Sequence, residues 1–363
     1  MNALAGLRTP ADAGRAEFRL RTLTPLYTGG IGQQGEHIHP SNLLGGVRRF
    51  SCLLAAAIGD AGFEAAVWGR AGDARSDPSA KGVACIWDLS ALRESRLKPT
   101  VNWPRADDQK RPGGWRFNVA HAGALTLGLT RRAISDAHWQ LLLLALRIQI
   151  RHATFGAKDQ HGLGVLGCDE WPEVEPLVRV AGRPLTDRPG LDRAFFAELQ
   201  FDAPPPTLDA DYGKAIEDGL RLRELLRSLF RVDLPDKPTD VEKRQAAAET
   251  DLRHYLFGHL APKQSESWGS AINVSALYRR ADGNAGLRVW GLMPHTCINR
   301  DRHANDRPSD NQLAKALNRI HACLQQALPF AHMKARPCHL AVWEDGRVHA
   351  AGLVAWINHL AGV

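Results

Sequence analysis

Residues 67–89, VWGRAGDARSDPSAKGVACIWDL, and residues 256–278, LFGHLAPKQSESWGSAINVSALY, align without a gap. Trp68-Gly69 falls on Phe257-Gly258, Ser76 on Ser265 and Val83 on Ile272. Each stretch follows a helical pattern and passes through a polar loop into a strand pattern. The order helix, aromatic-glycine, loop, strand therefore occurs twice. Two copies of a β-α-β type unit account for it, and the ferredoxin-like split β-α-β module fits the element order. The expected fold class is α+β, with two tandem ferredoxin-like domains whose antiparallel sheets carry helices on one face. The expected domains are 1–200 and 201–363.

Working outward, residues 17–28 alternate as an opening strand, ended by Pro25 and the Gly29-Gly30 pair. Residues 31–40 read as a loop. Leu43, Leu44, Val47, Phe50, Leu53, Leu54 and Ile58 recur at helical spacing, so a helix is expected over 41–58 with Ser41 or Asn42 as its N-cap. A short helix at 63–67, a strand at 83–89, a protruding proline-rich loop at 98–114, a strand at 115–130 and a helix at 136–151 follow. A glycine-rich segment, FGAKDQHGLGVLG, occupies 155–167. Residues 170–206 read as a linker. Helices are expected at 209–230, 244–256 and 310–328, and strands at 271–279 and 286–293. The chain closes with 339–343 and 348–357, as two strands or a strand and a short helix.

The chain has 363 residues, with 46 lysines and arginines against 39 acidic residues, a formal charge of +7. That excess fits a polyanionic partner and also fits ordinary solubility. Hydrophobic residues make up 44%, enough for real cores, which excludes wholesale disorder. The longest apolar stretch, Leu141–Ile150, is too short for a membrane span and contains Arg147. No secretory leader is evident, so a cytoplasmic location without membrane association is expected. The six cysteines are scattered and form no CxxC pair, which points to reduced thiols. His295–Cys297 and His321–Cys323 lack zinc-finger spacing, so neither metal nor cofactor is expected.

Four basic groups are candidates for contact with phosphates. Gly29, Gly30, His37, His39, Ser41, Asn42, Arg48 and Arg49 combine a glycine turn, a helix start and guanidinium donors. Arg151, His152, Lys158, His161, Gly162 and Gly164 place cations around the glycine loop, which matches neither a Walker A nor a Rossmann pattern. Arg70, Arg75 and Lys81 lie in the first repeated loop, and Lys263 and Ser265 in the second. The fourth group is Lys98, Arg105, Lys110 and Arg111 in the 98–114 loop. For each, a solvated surface or an ordinary turn is the competing reading. Trp68, repeated as Phe257, reads as core. No GxSxG, HExxH or EF-hand motif is present, so no catalytic residue is assigned. A metal-free ribonuclease using His37, His39 or His152 stays open.

FRLRTLTPLYTGG at 18–30, followed by HPSNLLGGVRRF at 39–50, resembles the opening of RAMP-superfamily subunits of type III CRISPR effectors. It is most similar to the Cmr one subunit family of the type III-B Cmr complex. Ser41, Leu43, Gly45, Val47, Arg48 and Phe50 hold the places of that family's helix start. Trp68 to Trp87 matches its FG-S-strand segment, and 155–167 its glycine loop. The sequence departs at Asn42, at the doubled Gly45-Gly46, and in lacking a second glycine loop near its C-terminus. The resemblance implies tandem RAMP/RRM-like domains and a non-catalytic subunit that binds crRNA and target RNA. Backbone RAMP proteins and other effector subunits would be its partners, near one end of a ribonucleoprotein acting in antiviral defence. The alternative within the superfamily is an endoribonuclease that processes CRISPR transcripts or slices target RNA.

Overall fold

The computed structural model describes residues 14–28, 37–70, 79–96, 119–156, 162–185, 190–201, 212–258, 271–292, 310–325, 328–330, 333–341 and 350–363. The first half runs β1 (Arg15–Thr22), α1 (Pro40–Ala57), α2 (Phe63–Trp68), β2 (Val83–Asp88), β3 (Leu92–Arg96), β4 (Val119–Arg131), α3 (Asp136–His152) and β5 (Leu166–Glu170). The second runs β6 (Ala194–Phe201), α4 (Tyr212–Ser228), α5 (Asp240–Phe257), β7 (Ile272–Val274), β8 (Tyr278–Arg279), β9 (Ala285–Leu292), α6 (Asp310–Gln325), β10 (Leu328–Phe330), β11 (Met333–Ala341) and α7 (Ala350–Ala361).

Both sheets are antiparallel, and their strand orders match. The first is β2-β4-β1-β5, with β3 paired to β4; the second is β10-β11-β6-β9-β7, with β8 paired to β9. Setting aside β3, β8 and β10, each sheet places its fourth strand beside the first, then the third, then the second. That is the strand order of the β-α-β-β-α-β module.

The repeat extends to backbone detail. Gly69 ends α2 at φ 75° and ψ 170°, and Gly258 ends α5 at φ 79° and ψ 162°. In the first copy the Gly82 N–H donates to the Val67 carbonyl at 3.1 Å; at the equivalent positions of the second, Ala271 N–H donates to Leu256 at 2.9 Å. Both copies thus turn back against the end of the helix that precedes the loop. A Cβ on Gly69 would lie 2.6 Å from the Ser79 carbonyl oxygen, so the turn requires glycine.

Burial follows the strand and helix periods. β1 alternates, turning Ala16, Phe18 and Leu20 inward and Arg15, Glu17, Arg19 and Arg21 outward. α1 and α3 cover that face, and α3 buries nearly all of its central two turns, Leu141–Leu146. The two cores interlock. Tyr27, Ala120 and Leu163 belong to the core of the second sheet, while Ala194, Phe196, Trp290 and the α7 residues Leu353, Ile357 and Leu360 belong to that of the first.

Several expectations need correction. Residues 194–201 are not linker but β6, the strand on which the second sheet is centred. Neither Ser41 nor Asn42 caps α1: the N-cap is His39, because Pro40 enters the first turn, where a missing N–H costs nothing. Thr28 serves that end instead, its Oγ1 accepting from the His39 N–H at 2.9 Å, while the Asn42 amide donates to the Thr28 carbonyl. α5 begins at Asp240 under a Thr239–Glu242 capping box, four residues before the expected start. Residues 98–114 lie outside the described residues. Of the two readings of the closing segment, the strand followed by a helix holds, with α7 as its last element. No helix among the described residues is long and apolar enough to cross a membrane.

Candidate nucleic-acid interface

An outer cleft of about 780 Å³ is formed where α1, α2 and the base of the first repeated loop meet. Arg48 comes from α1, and Arg70 and Lys81 from the two ends of the loop region; all three line this cleft. The loop base is held by an isolated bridge, Arg70 N–H to Ser79 O at 3.1 Å and Ser79 N–H to Arg70 O at 2.9 Å. Glu64 of α2 is the one carboxylate lining the cleft among the described residues and takes the Arg48 guanidinium at 2.8 Å. Both partners are substantially exposed, so this pair positions Arg48 more than it stabilises the fold. Three cations on an open surface, from separate segments, suit contact with successive backbone phosphates and carry no base specificity by themselves.

Trp68 sits beneath this cleft and does not present a stacking face. It is 3% exposed, and its Nε1 donates to Ser51 Oγ at 3.0 Å, whose hydroxyl donates to the Arg48 carbonyl at 3.0 Å. It anchors the segment of α1 that carries Arg48. Arg49, one residue on, is exposed but does not line the cleft, so helical geometry separates the two arginines. His37, His39, Ser41 and Asn42 are exposed around the start of α1. Gly29, Gly30, Arg75, Lys158, His161, Lys263 and Ser265 lie outside the described residues.

The remaining candidates lie at the seam between the two modules. Gly162 and Gly164 are buried, with φ of +90° and +85°. The Gly162 carbonyl accepts from Ala276 N–H at 3.0 Å, and a Cβ there would stand 2.6 Å from that nitrogen. The Gly164 N–H donates to the Pro25 carbonyl at 2.9 Å, which removes it as a donor to an anion. These two glycines hold the segments together by close backbone approach. His152 shares its Nε2 with the Leu360 carbonyl at 2.8 Å and packs on Phe196, and the Arg147 Nε donates to the Ala361 carbonyl at 2.7 Å. Both side chains thus satisfy the C-terminal end of α7.

Arg151 lines a second cleft, of about 550 Å³, together with Arg21, Arg279, Arg280 and Arg288. Sequence reasoning did not select these last four. The Arg279-Arg280 doublet directly after the repeat was a signal of the same kind as Arg48-Arg49; nothing in the sequence brought Arg21 or Arg288 to it. Of the histidine-cysteine pairs, His295–Cys297 lies outside the described residues, and burial raises the Cys323 thiol.

Two β-α-β-β-α-β modules with interlocked cores and basic clefts define a tandem ferredoxin-like α+β protein. No protein-family model matches the chain, and no curated protein does. Among solved structures it is similar to Cmr1 from Pyrococcus furiosus in its apo form, at 13% identity and a TM-score of 0.43, covering 84% of this chain and 96% of that one. It is also similar to a chain of the type III-B Cmr-beta complex bound to cognate target RNA, at 11% identity and a TM-score of 0.45, covering 85% and 98%. A further state of that complex, with AMPPnP and in the presence of single-stranded DNA, gives 10% identity, a TM-score of 0.44, and coverage of 85% and 98%.

Proposed function

We propose that this chain is a non-catalytic RNA-binding subunit of a type III CRISPR-Cas, Cmr-like ribonucleoprotein. It holds crRNA, the guide–target duplex, or both near one end of the complex in antiviral defence, in the cytoplasm. Its partners are crRNA, target RNA and the backbone RAMP subunits. The observation that carries this reading is the outer cleft, which gathers Arg48, Arg70 and Lys81 on an open surface, with Glu64 the single carboxylate among the described residues that line it. The opening motif at 18–50 supplies the class of ribonucleoprotein; the cleft supplies the chemistry. Phosphate contacts dominate affinity in such a site, and guide–target pairing carries the sequence recognition.

The test is RNA retention by the assembled complex. Replacing Arg48, Arg70 and Lys81 together by alanine is expected to lower retained crRNA without unfolding the chain. Full retention by this variant would remove the site from consideration. Incubating wild-type protein with labelled repeat RNA, with and without magnesium, separates binding from cutting; intact RNA is expected, and site-specific cleavage would establish the endoribonuclease alternative.

A further inference from the structure

The second module repeats the joint beneath the outer cleft with other residues. In the first module Trp68, the last residue of α2, is tied to α1 through Ser51. In the second, Phe257, the last residue of α5, is tied to α4. The Arg223 Nη2 donates to its carbonyl at 2.6 Å, and its ring lies 6.1 Å from that of Phe230. The second repeated loop therefore starts from α4 as the first starts from α1. Arg223, Arg227 and Arg231 are spaced by four residues, so they recur along one side of α4 and its end. Arg253 joins them from α5, one turn before Phe257.

Acidic residues do not balance this group. The Glu224 Oε1 stands 3.8 Å from Arg223 Nη1 and 3.5 Å from Arg227 Nη1, and Asp233 pairs with Arg231 at 3.2 Å where both are exposed. Burial, and next the charges of Arg227 and Arg231, lower the Arg253 pKa, while Glu224 acts the other way. The Arg223 side chain is only 14% exposed, and burial lowers its pKa as well. A guanidinium carries five N–H donors, and the Phe257 carbonyl takes one of those on Arg223. The Nε atoms of Arg223 and Arg253 are both buried, with no hydrogen-bond partner among the described residues. Crowded cations with orphaned donors are costly unless an anion satisfies them.

We propose that Arg223, Arg227 and Arg253, at the joint of α4 and α5, form a second phosphate-contact site for RNA, built within the second module alone. None of the three lines the seam cleft. The inference rests on the RNA-binding reading and deepens it. Each copy of the module sets cations over the same joint, so the RNA backbone is held at two places and not only in the outer cleft. Guanidinium forks suit phosphate oxygens and carry no base preference there. Glu224 stands among these arginines as Glu64 stands beside Arg48, one carboxylate against a larger positive charge.

Fluorescence anisotropy of the full chain with a labelled 20-nucleotide single-stranded RNA, across a range of salt, tests it. R227Q combined with R253Q is expected to weaken binding by about tenfold or more. The slope of log affinity against log salt should become shallower by about 1.4, from two contacts at about 0.7 each. R227K/R253K, which keeps the charge, is expected to keep the slope. R227Q alone, at the more exposed of the two positions, guards against a folding artefact and should lower the slope by about 0.7. Adding R48A/R70A/K81A to R227Q/R253Q is expected to lower it further, because the two sites meet different phosphates. Unchanged affinity and slope in folded R227Q/R253Q overturn the second site, and if R48A/R70A/K81A still loses RNA, the proposed function survives. Loss of RNA in R227Q/R253Q with none in R48A/R70A/K81A removes the outer cleft and leaves the second site standing. Poly-L-glutamate bound by the wild type and released by R227Q/R253Q, with RNA binding untouched, gives the joint to an acidic protein surface and overturns its assignment to RNA.

Discussion

At the scale of single residues, charge in this protein is placed by specific partners. Glu64 holds Arg48 in the outer cleft, so the carboxylate both orients the guanidinium and competes with an incoming phosphate. E64Q is expected to raise RNA affinity about twofold to fivefold, as the value of an exposed ion pair allows; anisotropy with a labelled oligonucleotide measures it, and lower affinity would mean that orientation outweighs competition. Asp60 works differently. Its Oδ1 accepts from the N–H groups of Gly62 and Phe63, both at 3.0 Å, and its Oδ2 faces His138 Nε2 at 3.0 Å. The hydrogen bond to His138, and then its charge, hold the Asp60 carboxyl below the usual carboxylate range against an opposing effect of burial. A depressed acid contributes stability above its unfolded pKa and loses it as pH falls through the lowered folded value. D60A is thus expected to cost about 1–2 kcal/mol near neutrality. That gap should close below about pH 4, as read by urea unfolding across pH. Of the outer-cleft residues, Arg70 and Lys81 were legible because the repeat framed them, and Arg48 because it follows a glycine pair near a helix start. At the seam only Arg151 was legible: Arg21, Arg279 and Arg288 join it only after four distant segments fold.

At the scale of elements, the legible parts were those whose burial leaves a period. α1, α3 and α6 stand close to where helical spacing puts them, and β1 alternates as a half-buried strand should. β6 escaped because it is buried on both faces. AFFAELQF shows no clean alternation and follows a proline-rich run, so it resembled linker. α7 was half legible, as the short helix in one of the two readings of 348–357; it returns to the first module, where Asn358 bonds both the N–H and the carbonyl of Leu177, at 2.7 and 2.8 Å. I357A, at a position with no exposure, is expected to cost about 2–4 kcal/mol. The loss should appear in hydrogen exchange as lowered protection of α3, the helix α7 packs on; an unchanged α3 would mean that α7 is not part of that core. At the seam, G164A places a Cβ 1.9 Å from the Phe155 carbonyl oxygen at a φ of +85°. A destabilisation of about 1–3 kcal/mol or more is expected in chemical denaturation, and a neutral substitution would refute the close approach.

At the scale of the whole molecule, the doubled module explains why a modest net charge of +7 can serve a polyanion. The charge is gathered, in the outer cleft on one module and in the seam cleft where the two modules meet. Phosphate neutralisation releases counterions, so the logarithm of affinity for single-stranded RNA falls with the logarithm of salt by about 0.7 per phosphate contacted. The most direct measurement is that slope for wild-type protein and for R48A/R70A/K81A. Loss of three phosphate contacts is expected to make the slope shallower by about 2, with the weakening uniform across RNA sequences. An unchanged slope in a folded variant would contradict the assignment of the outer cleft to RNA.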